Sequence, residues 1–489
     1  MSDTSPSHES ILRSLVEDAS LGAAERFLAV ASRYIASAGE GRGPVSTALT
    51  PSQLAARFDE PLPLTGRPLG DVIARLERDV IGDATRLMHP MYMGHQVSAP
   101  IPAAIWTEPV IAALNQSMTV WEMSPTATVI ERQVVRWMCG LLGLGASSGG
   151  TFTSGGTEAT FTALLAARAA ALPDAWQEGI GEDAPVVLYG EQAHYGVTRA
   201  VAELGLGMRR AIAIPTRGFR MDVDALAKRL KELGHSGTRV MAVVATAGST
   251  ATGHFDDLSA IAELCRAHQA WLHVDGAHGA SALLSPAHRH RLRGIEHADS
   301  VAWDAHKMML LPLTSGMLLV RHEPALEAAF AQRAPYLFHQ AAGEPSWDQG
   351  KRTFMCARRA DALKLWVTLQ RHGAAALGAL YEQLCGVARE LHAAISARTD
   401  FEALHEPESN ILCFRFVGDR SRAHDAQALD ELNSELRAQY NRSGHGWITT
   451  TLVGGRRVLR AVVMNPRTTR EHARALVARL GELAVTLRR

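Results

Sequence analysis

Hydrophobic and polar positions follow two different periods along the chain. Residues 9–37 carry apolar side chains at helical spacing, and a stretch rich in Gly, Ser and Pro follows over residues 38–51. This pattern predicts an N-terminal helical arm and linker over residues 1–70. Residues 72–142 also follow a helical pattern, which several prolines interrupt and divide into short helices.

The pattern changes after residue 142. Short β-branched and apolar segments appear, each followed by a Gly-rich turn and a helical segment. These segments are 185–189, 210–215, 239–246, 271–275, 300–303 and 316–320. Strands that alternate with helices predict an α/β fold with a mostly parallel sheet flanked by helices. Ligands of such sheets bind at the carboxyl ends of the strands.

The C-terminal part of the chain has a mixed pattern. A helical segment over residues 359–372 is followed by two strand candidates, 410–416 and 458–464. A chain of 489 residues is long enough for more than one domain, because single cores stop growing at around 250–300 residues. We therefore predict the arm and linker (1–70), a large domain (71–375) and a small C-terminal α+β domain (376–489).

Composition narrows the class of partner. Lys plus Arg and Asp plus Glu number 50 each, so the formal net charge is zero, which argues against nucleic acid and membrane partners and favours a small molecule. The 5 cysteines are odd in number and lack C-x-x-C spacing, so neither disulfides nor a zinc site is predicted. No export signal or long apolar stretch is recognisable, and the prediction is a cytoplasmic protein.

Two short motifs carry the candidate chemistry. Lys307 ends the sequence Asp304-Ala305-His306-Lys307 and precedes an apolar run. A lysine in an apolar pocket beside a positive partner loses its charge easily, and the neutral amine then attacks an aldehyde to form a Schiff base. Asp275 ends a buried strand in the motif 273–279, where a carboxylate can keep a pyridine nitrogen protonated. Either residue alone would be an ordinary strand-end side chain. Together they indicate an enzyme that uses pyridoxal phosphate (PLP).

Three further segments carry candidate contacts, and two of them lie at or just after the end of a predicted strand. Residues 153–158 lead into a helical segment, where backbone N–H groups and the Thr157 hydroxyl can bind a phosphate; the alternative is a helix capping box. His194 can stack on the PLP ring, or it is an ordinary loop histidine. Residues 245–250 can line the ring or contact the phosphate, or they form a simple turn.

The order of these segments resembles the group II PLP-dependent amino acid decarboxylases, which include the glutamate, cysteine sulfinate, diaminobutyrate and aromatic amino acid decarboxylases. The motifs that carry the resemblance are 153–158, 192–194, 245–256, 273–279 and 299–307, with 89–94, 358–366 and 459–466 outside the centre. The resemblance implies the type I PLP-dependent (aspartate aminotransferase-like) fold. It also implies a homodimer with shared active sites.

The resemblance implies a role for each matching residue. Lys307 would form the Schiff base with PLP, and Asp275 would pair with the pyridine nitrogen. Arg460 would grip the substrate carboxylate, His95 would lie near the substrate side chain, and Tyr336 would donate a proton to Cα unless it is a packing tyrosine. The remaining cofactor contacts that it implies are Gly156, Thr157, His194, Thr246, Ala277 and His306. No metal is implied.

The implied reaction is decarboxylation of an L-amino acid to its amine and CO2, through the Lys307 Schiff base and a quinonoid intermediate. Residues 94–98 resemble the diaminobutyrate enzymes, whereas 336–338 resemble the glutamate and cysteine sulfinate enzymes. We expect a small acidic substrate (glutamate, aspartate or cysteine sulfinate), with L-2,4-diaminobutyrate or an aromatic amino acid as alternatives.

Two rival functions remain at this point. Another PLP lyase, or an aldehyde-forming oxidative decarboxylase, would use the same fold. A PLP-binding scaffold without activity is the second rival, and the joint presence of Lys307, Asp275, His194 and Arg460 argues against it, because a scaffold needs no electron sink.

Overall fold

The computed structural model describes residues 12, 13, 16, 20–330, 334–338, 346–418 and 425–487. Its N-terminal part is helical, with α1 (Leu21–Gly39), α2 (Pro51–Phe58) and α3 (Leu69–Arg75), which continues into a π-helical turn at Leu76–Ile81. The Ser20 side chain caps α1 and a Thr50 capping box begins α2, so both helices begin where a side chain satisfies a backbone N–H group.

Prolines begin the next helices. They are α4 (Pro102–Ile105), α5 (Glu108–Leu114) and α6 (Pro125–Leu142), and each has a proline at its first or second position. Proline suits this position because the first N–H groups of a helix have no partner within it. Three of the prolines that interrupt the helical pattern of residues 72–142, Pro102, Pro109 and Pro125, therefore act as helix starts.

A seven-stranded sheet forms the centre of the molecule. Its strands are β1 (Gly149–Thr153), β2 (Val186–Gly190), β3 (Ala211–Ile214), β6 (Val240–Thr246), β7 (Trp271–Asp275), β8 (Ser300–Asp304) and β9 (Gly316–Val320). They lie in the order β1-β9-β8-β7-β6-β2-β3, and only β9 runs against its neighbours. The predicted mostly parallel sheet is confirmed. The short strands β4 (Thr216–Arg217) and β5 (Arg220–Met221) form a separate hairpin.

Helices cover both faces of this sheet. They are α7 (Gly156–Ala171), α8 (Ala175–Glu178), α9 (Gly196–Glu203), α10 (Val223–His235), α11 (Leu258–Ala267) and α12 (Pro324–Phe330). Alternate residues of β6 join two different apolar clusters, Val243 and Ala245 on one face and Ala242 and Val244 on the other. Burial on both faces explains why β6 is a nearly continuous apolar run rather than an alternating pattern.

The C-terminal part contains a second, four-stranded antiparallel sheet. It follows the long helix α13 (Ala362–Ser396), whose backbone is non-helical at Gly373. The remaining elements are β10 (Phe401–Ala403), β11 (Ile411–Phe416), α14 (Ala426–Arg442), β12 (Thr449–Val453), β13 (Arg456–Val462) and α15 (Arg470–Leu487), with strand order β10-β11-β13-β12. One apolar core joins the two sheets, since Val274 and Phe414 belong to the same cluster. Across the described ranges, no helix combines the length and apolarity needed to cross a membrane.

Candidate active site

The carboxyl ends of the parallel strands surround a cavity of about 350 Å³. Its lining includes all eight predicted cofactor contacts: Gly156, Thr157, His194, Thr246, Asp275, Ala277, His306 and Lys307. Ser154, Gly155, Tyr195, Gly248, Thr250, His278 and Asp304 complete it. A larger cleft of about 900 Å³ lies at the opposite ends of β6 and β7 and contains none of the predicted site residues. The chemistry therefore belongs to the smaller cavity.

Lys307 is held by a buried carboxylate. Its Nζ lies 3.1 Å from Asp304 Oδ2, and His306 Nε2 lies 3.5 Å from the same oxygen. Nδ1 of His306 accepts a hydrogen bond from the backbone N–H of Ser315 at 3.1 Å, so the proton of the neutral ring is on Nε2, facing Asp304. Burial lowers the pKa of His306, with Asp304 opposing the shift, which favours this neutral form.

Asp304 is a site residue that the list of predicted contacts lacks. It is the last residue of β8 and is 1% exposed, and no other described residue forms a hydrogen bond with its Oδ1. The sequence signal that could have identified Asp304 is its position three residues before Lys307, at the end of a buried strand. The direction of its side chain depends on packing and could not be taken from the motif.

Small residues keep the start of α7 close to the cavity. A Cβ added at Gly156 would lie 2.8 Å from Ala277 Cβ and 3.2 Å from Asp304 Oδ2, so only glycine leaves this space open. The alternative interpretation of this segment was a helix capping box, in which two hydrogen bonds are reciprocal. One of the two is present, because Glu158 Oε2 accepts from the backbone N–H of Ser154 at 2.7 Å. The reciprocal half is missing, because Gly155 has no side chain to cap the helix. The N-terminus of this sixteen-residue helix thus borders the cavity with its positive end.

His194 and Asp275 lie on the same cavity. Nδ1 of His194 accepts from the backbone N–H of Gly196 at 3.1 Å, which fixes the imidazole. Burial lowers the pKa of His194, Asp275 opposes this shift and Lys307 reinforces it. Asp275 Oδ1 accepts from the backbone N–H of Ala277 at 3.2 Å.

Thr246 Oγ1 is buried without a hydrogen-bond partner among the described residues. A bound molecule with a polar group at this point would satisfy it.

Three predicted site residues lie outside the cavity lining of the single chain. Arg460 is 5% exposed; its guanidinium donates to the backbone carbonyl of Thr250 and, at 3.1 Å, to that of Ala251, next to the cavity. The His95 ring lies 5.0 Å from the Trp447 ring. Tyr336 is 82% exposed.

The cavity fits PLP in several respects. It offers a lysine, a strand-end carboxylate, an imidazole, a glycine-lined helix N-terminus and an unsatisfied hydroxyl at Thr246. These groups match the needs of an aldehyde, a pyridine nitrogen, an aromatic ring and a phosphate. The fold and the site together define an α/β enzyme of the PLP-dependent class.

The comparison with known proteins gives the family. The Pyridoxal-dependent decarboxylase conserved domain matches residues 51–417, and the chain belongs to this family. It is a PLP-dependent amino acid decarboxylase.

Relatives and solved structures agree with this assignment. The L-2,4-diaminobutyrate decarboxylase of Rhizobium meliloti (strain 1021) is 35% identical over 87% of this chain and 84% of its own length. The cysteine sulfinic acid decarboxylase of Mus musculus is 33% identical over 85% and 86%. The crystal structure of the glutamate decarboxylase domain of diaminobutyrate-pyruvate transaminase and L-2,4-diaminobutyrate decarboxylase from Vibrio parahaemolyticus has a TM-score of 0.83 at 29% identity, over 94% of this chain and 95% of that one. The predicted type I fold is confirmed.

Proposed function

We propose that this enzyme decarboxylates a small acidic L-amino acid such as glutamate, aspartate or cysteine sulfinate. The observation that carries the proposal is the position of Arg437 near His95, since the Arg437 guanidinium carbon and the His95 ring each lie 5.0 Å from the Trp447 ring. Desolvation and two cations, Arg460 and Arg437, lower the pKa of His95, and no carboxylate is among the groups that shift it. If the substrate side chain lies near His95, a carboxylate or sulfinate there is attracted and a second ammonium is repelled. The cysteine sulfinic acid relative supports the same class.

L-2,4-diaminobutyrate is the second candidate. It is supported by the relative named for this activity, which is 35% identical over 87% of the chain, and by the resemblance of residues 94–98 to such enzymes. The charge around His95 argues against it, because this substrate carries an additional ammonium group. An aromatic amino acid remains a third possibility with less support.

The proposed roles of the residues are those that the resemblance implies, and their shared cavity supports them. PLP, when bound, supplies the electron sink for the electrons that remain when CO2 leaves. Lys307 carries the amine that binds the cofactor, and Asp275 keeps the ring nitrogen protonated. His194 and Ala277 would hold the ring, while Gly156, Thr157, Thr246 and His306 would hold the phosphate and border Lys307.

Arg460 is proposed to bind the substrate carboxylate, which a rigid guanidinium can grip with two hydrogen bonds. Its guanidinium donates to the carbonyls of Thr250 and Ala251 in the single chain. Thr250 lines the cavity, so the cation is adjacent to the site. Arg460 would bind the substrate by giving up its hydrogen bond to one of these carbonyls and donating to the substrate carboxylate instead.

We propose that Tyr336 donates the proton to Cα, and that it does so in the active site of a partner subunit. Its side chain is 82% exposed in the single chain. A proton donor must be shielded from water when it acts, so exposure in one subunit is consistent with a site that is completed by another.

A homodimer is proposed on the same grounds. Large apolar side chains are exposed in the regions 106–129 and 347–355, next to the segment of Tyr336. They are Trp106, Val110, Leu114, Trp121, Met123, Val129, Trp347, Phe354 and Met355. The rings of Trp121 and Trp347 lie 5.4 Å apart, which joins the two regions. Exposed apolar side chains that meet in this way are typical of a subunit interface.

The proposed domain division, 1–70, 71–375 and 376–489, is supported by the second sheet and by the interruption of α13 at Gly373. A cytoplasmic location is supported by the cysteines. None of the five, all within the described ranges, forms a disulfide.

The test is product analysis by mass spectrometry. Purified PLP-loaded enzyme is incubated with glutamate, aspartate, cysteine sulfinate, 2,4-diaminobutyrate and aromatic amino acids, with Lys307→Ala as the control. Amine formation from an acidic amino acid, absent in the control, is the expected result. Turnover of 2,4-diaminobutyrate alone would replace the first candidate by the second, and an aldehyde product would overturn simple decarboxylation.

A further inference from the structure

His278 lines the active-site cavity but has no role among those considered so far. It follows Ala277 in the turn after β7 and is 3% exposed. Its Nε2 lies 2.7 Å from Oδ1 of Asn410, which immediately precedes β11 in the second sheet. One nitrogen of this imidazole is therefore anchored outside the large sheet, while the ring itself borders the site.

The hydrogen bonds of Asn410 fix the tautomer of His278. Asn410 Nδ2 donates to the backbone carbonyl of Val463 at 2.8 Å, so the amide oxygen is the atom that faces the imidazole. An amide oxygen only accepts, so Nε2 of His278 must carry the proton. Nδ1 of the neutral ring is then a bare lone pair.

This lone pair has no partner in the described part of the chain. Nδ1 is buried and receives no hydrogen bond from any described residue. Burial, reinforced by the cations Lys307 and Arg460, lowers the pKa of His278 to about 3, so the ring does not satisfy Nδ1 by taking up a proton at neutral pH. A buried acceptor left in this state is costly, and a donor that enters the cavity would satisfy it.

The cavity lining contains hydroxyls, which both donate and accept, and one amine, which as an ammonium only donates and so needs acceptors. Phosphate and carboxylate groups only accept hydrogen bonds, and they gain nothing from a second acceptor. Amines donate, and the amine that this chain supplies is Lys307, which lines the same cavity and contributes to the pKa shift of His278. Lys307 Nζ already lies 3.1 Å from Asp304 Oδ2, which leaves further N–H groups to be oriented.

We propose that His278 is a positioning residue, whose Nδ1 accepts a hydrogen bond from the Lys307 amine whenever that amine is not joined to the cofactor. Asp304 and His278 then hold the amine from two directions, so that it re-forms its bond to the cofactor from one defined position. The inference rests on the role proposed for Lys307, and it does not depend on which amino acid is the substrate.

The test compares two substitutions that each keep one nitrogen position of the ring. An asparagine side chain places its amide near the position of Nδ1, and a glutamine side chain places its amide near that of Nε2. Apoenzyme is mixed with PLP, the lysine-linked absorbance is followed in time, and borohydride-trapped PLP is located by mass spectrometry. We expect His278→Gln to slow loading by about tenfold, the effect of one hydrogen bond to a charged or reacting amine, and His278→Asn to load at close to the rate of the parent enzyme.

The opposite order, equal losses in both variants, or no loss in either would overturn the proposal and leave His278 as an anchor for Asn410. Asn410→Leu provides a second test that leaves His278 in place, because the released imidazole can carry its proton on either nitrogen. Slower loading is expected, and unchanged loading contradicts the proposal. PLP trapped on a residue other than Lys307 would overturn both this inference and the role of Lys307. The product analysis tests the substrate, and its outcome does not depend on His278.

Discussion

At the scale of single residues, the cavity depends on where small side chains and charges lie. Gly156 leaves space between α7, Ala277 and Asp304, and the charge on Asp304 faces both Lys307 and His306. Farther out, Arg437 and Arg460 act on His95. Cofactor binding and substrate choice thus rest on different residues, which can be changed separately.

Gly156→Ala should weaken PLP binding by about tenfold or more, because the added methyl group would lie 2.8 Å from Ala277 Cβ, and a clash in a packed site costs about 1–3 kcal/mol. Gly140→Ala in α6 is the matched control, since its added Cβ meets nothing within 4 Å. The measurement is the Kd for PLP from absorbance titration of apoenzyme. Equal affinities for the two variants would contradict the proposed cofactor cavity.

Arg437→Gln should raise KM for an acidic substrate by about fivefold while kcat changes little, because a nearby charge acts on binding more than on the bond that breaks. Arg442→Gln at the end of the same helix is the control, since Arg442 pairs with the exposed Glu435. Steady-state kinetics give both constants. A lower KM in Arg437→Gln would instead indicate a cationic substrate.

At the scale of elements, the loop that follows Lys307 is tied to α13 by one buried cation. Lys364 is fully buried, and its Nζ lies 2.9 Å from Asp361 Oδ1, 3.1 Å from Glu108 Oε1 and 2.7 Å from the carbonyl of Thr314. Thr314 precedes β9, so this contact links α5, α13 and the stretch between Lys307 and the sheet.

Lys364→Met should lower the free energy of unfolding by about 3–5 kcal/mol, because the buried Asp361 loses its nearest cation and Glu108 keeps only Arg359. Lys228→Met is the control; Lys228 is exposed on α10 and 4.0 Å from Glu232, so its loss should cost under about 0.5 kcal/mol. Urea unfolding of both variants measures the difference. If Lys364→Met lowers the free energy of unfolding as little as the control does, the ion pairs of Lys364 contribute no net stability.

The elements also divide into those that the sequence predicts and those that it does not. The strands β2, β3, β6, β7, β8 and β9 are rich in apolar residues and were predicted near their observed bounds. β1 was not, because Gly149 and Gly150 weaken its strand pattern; a Cβ at Gly150 would lie 2.3 Å from the carbonyl of Leu318, so the glycine reflects close packing against β9.

The site was predictable where it follows strand ends and unpredictable where it depends on packing between distant segments. Asp275 and Lys307 could be identified by their motifs. The contact of His278 with Asn410 joins residues 132 positions apart, and no local pattern reports it.

At the scale of the whole molecule, buried histidines make stability depend on pH. Burial lowers the pKa of His254 and His278 to about 3 and that of His273 and His405 to about 4. These values lie below the ordinary value of about 6.5, so unfolding takes up protons below pH 6.5 and stability falls as the pH decreases toward 4. Asp256 acts in the opposite sense, because burial raises its pKa to about 6, and burial also raises the pKa of Asp299. The four histidines outnumber these two carboxyl groups.

The urea midpoint should therefore be markedly lower at pH 5 than at pH 7.5, with each buried histidine costing up to about 2 kcal/mol. Unfolding curves at intervals of pH, with m-values checked for constancy, measure the effect. A midpoint that does not change over this range would show that these histidines bind protons equally in both states.

The proposed sharing of active sites between subunits gives the most decisive prediction at this scale. A Lys307→Ala subunit lacks the cofactor-binding amine and keeps Tyr336, whereas a Tyr336→Phe subunit has the reverse defect. In a mixed dimer, the site that keeps Lys307 receives an intact Tyr336 only if this tyrosine reaches across the interface. Random mixing of the two inactive variants should then restore about a quarter of the parent activity, since half of the dimers are mixed and each has one intact site. Because Tyr336 is 82% exposed in its own subunit and does not line its own cavity, we expect recovery. A mixture without amine formation, after exchange of subunits has been verified by mass spectrometry, would mean that Tyr336 acts within its own subunit or takes no part in proton transfer.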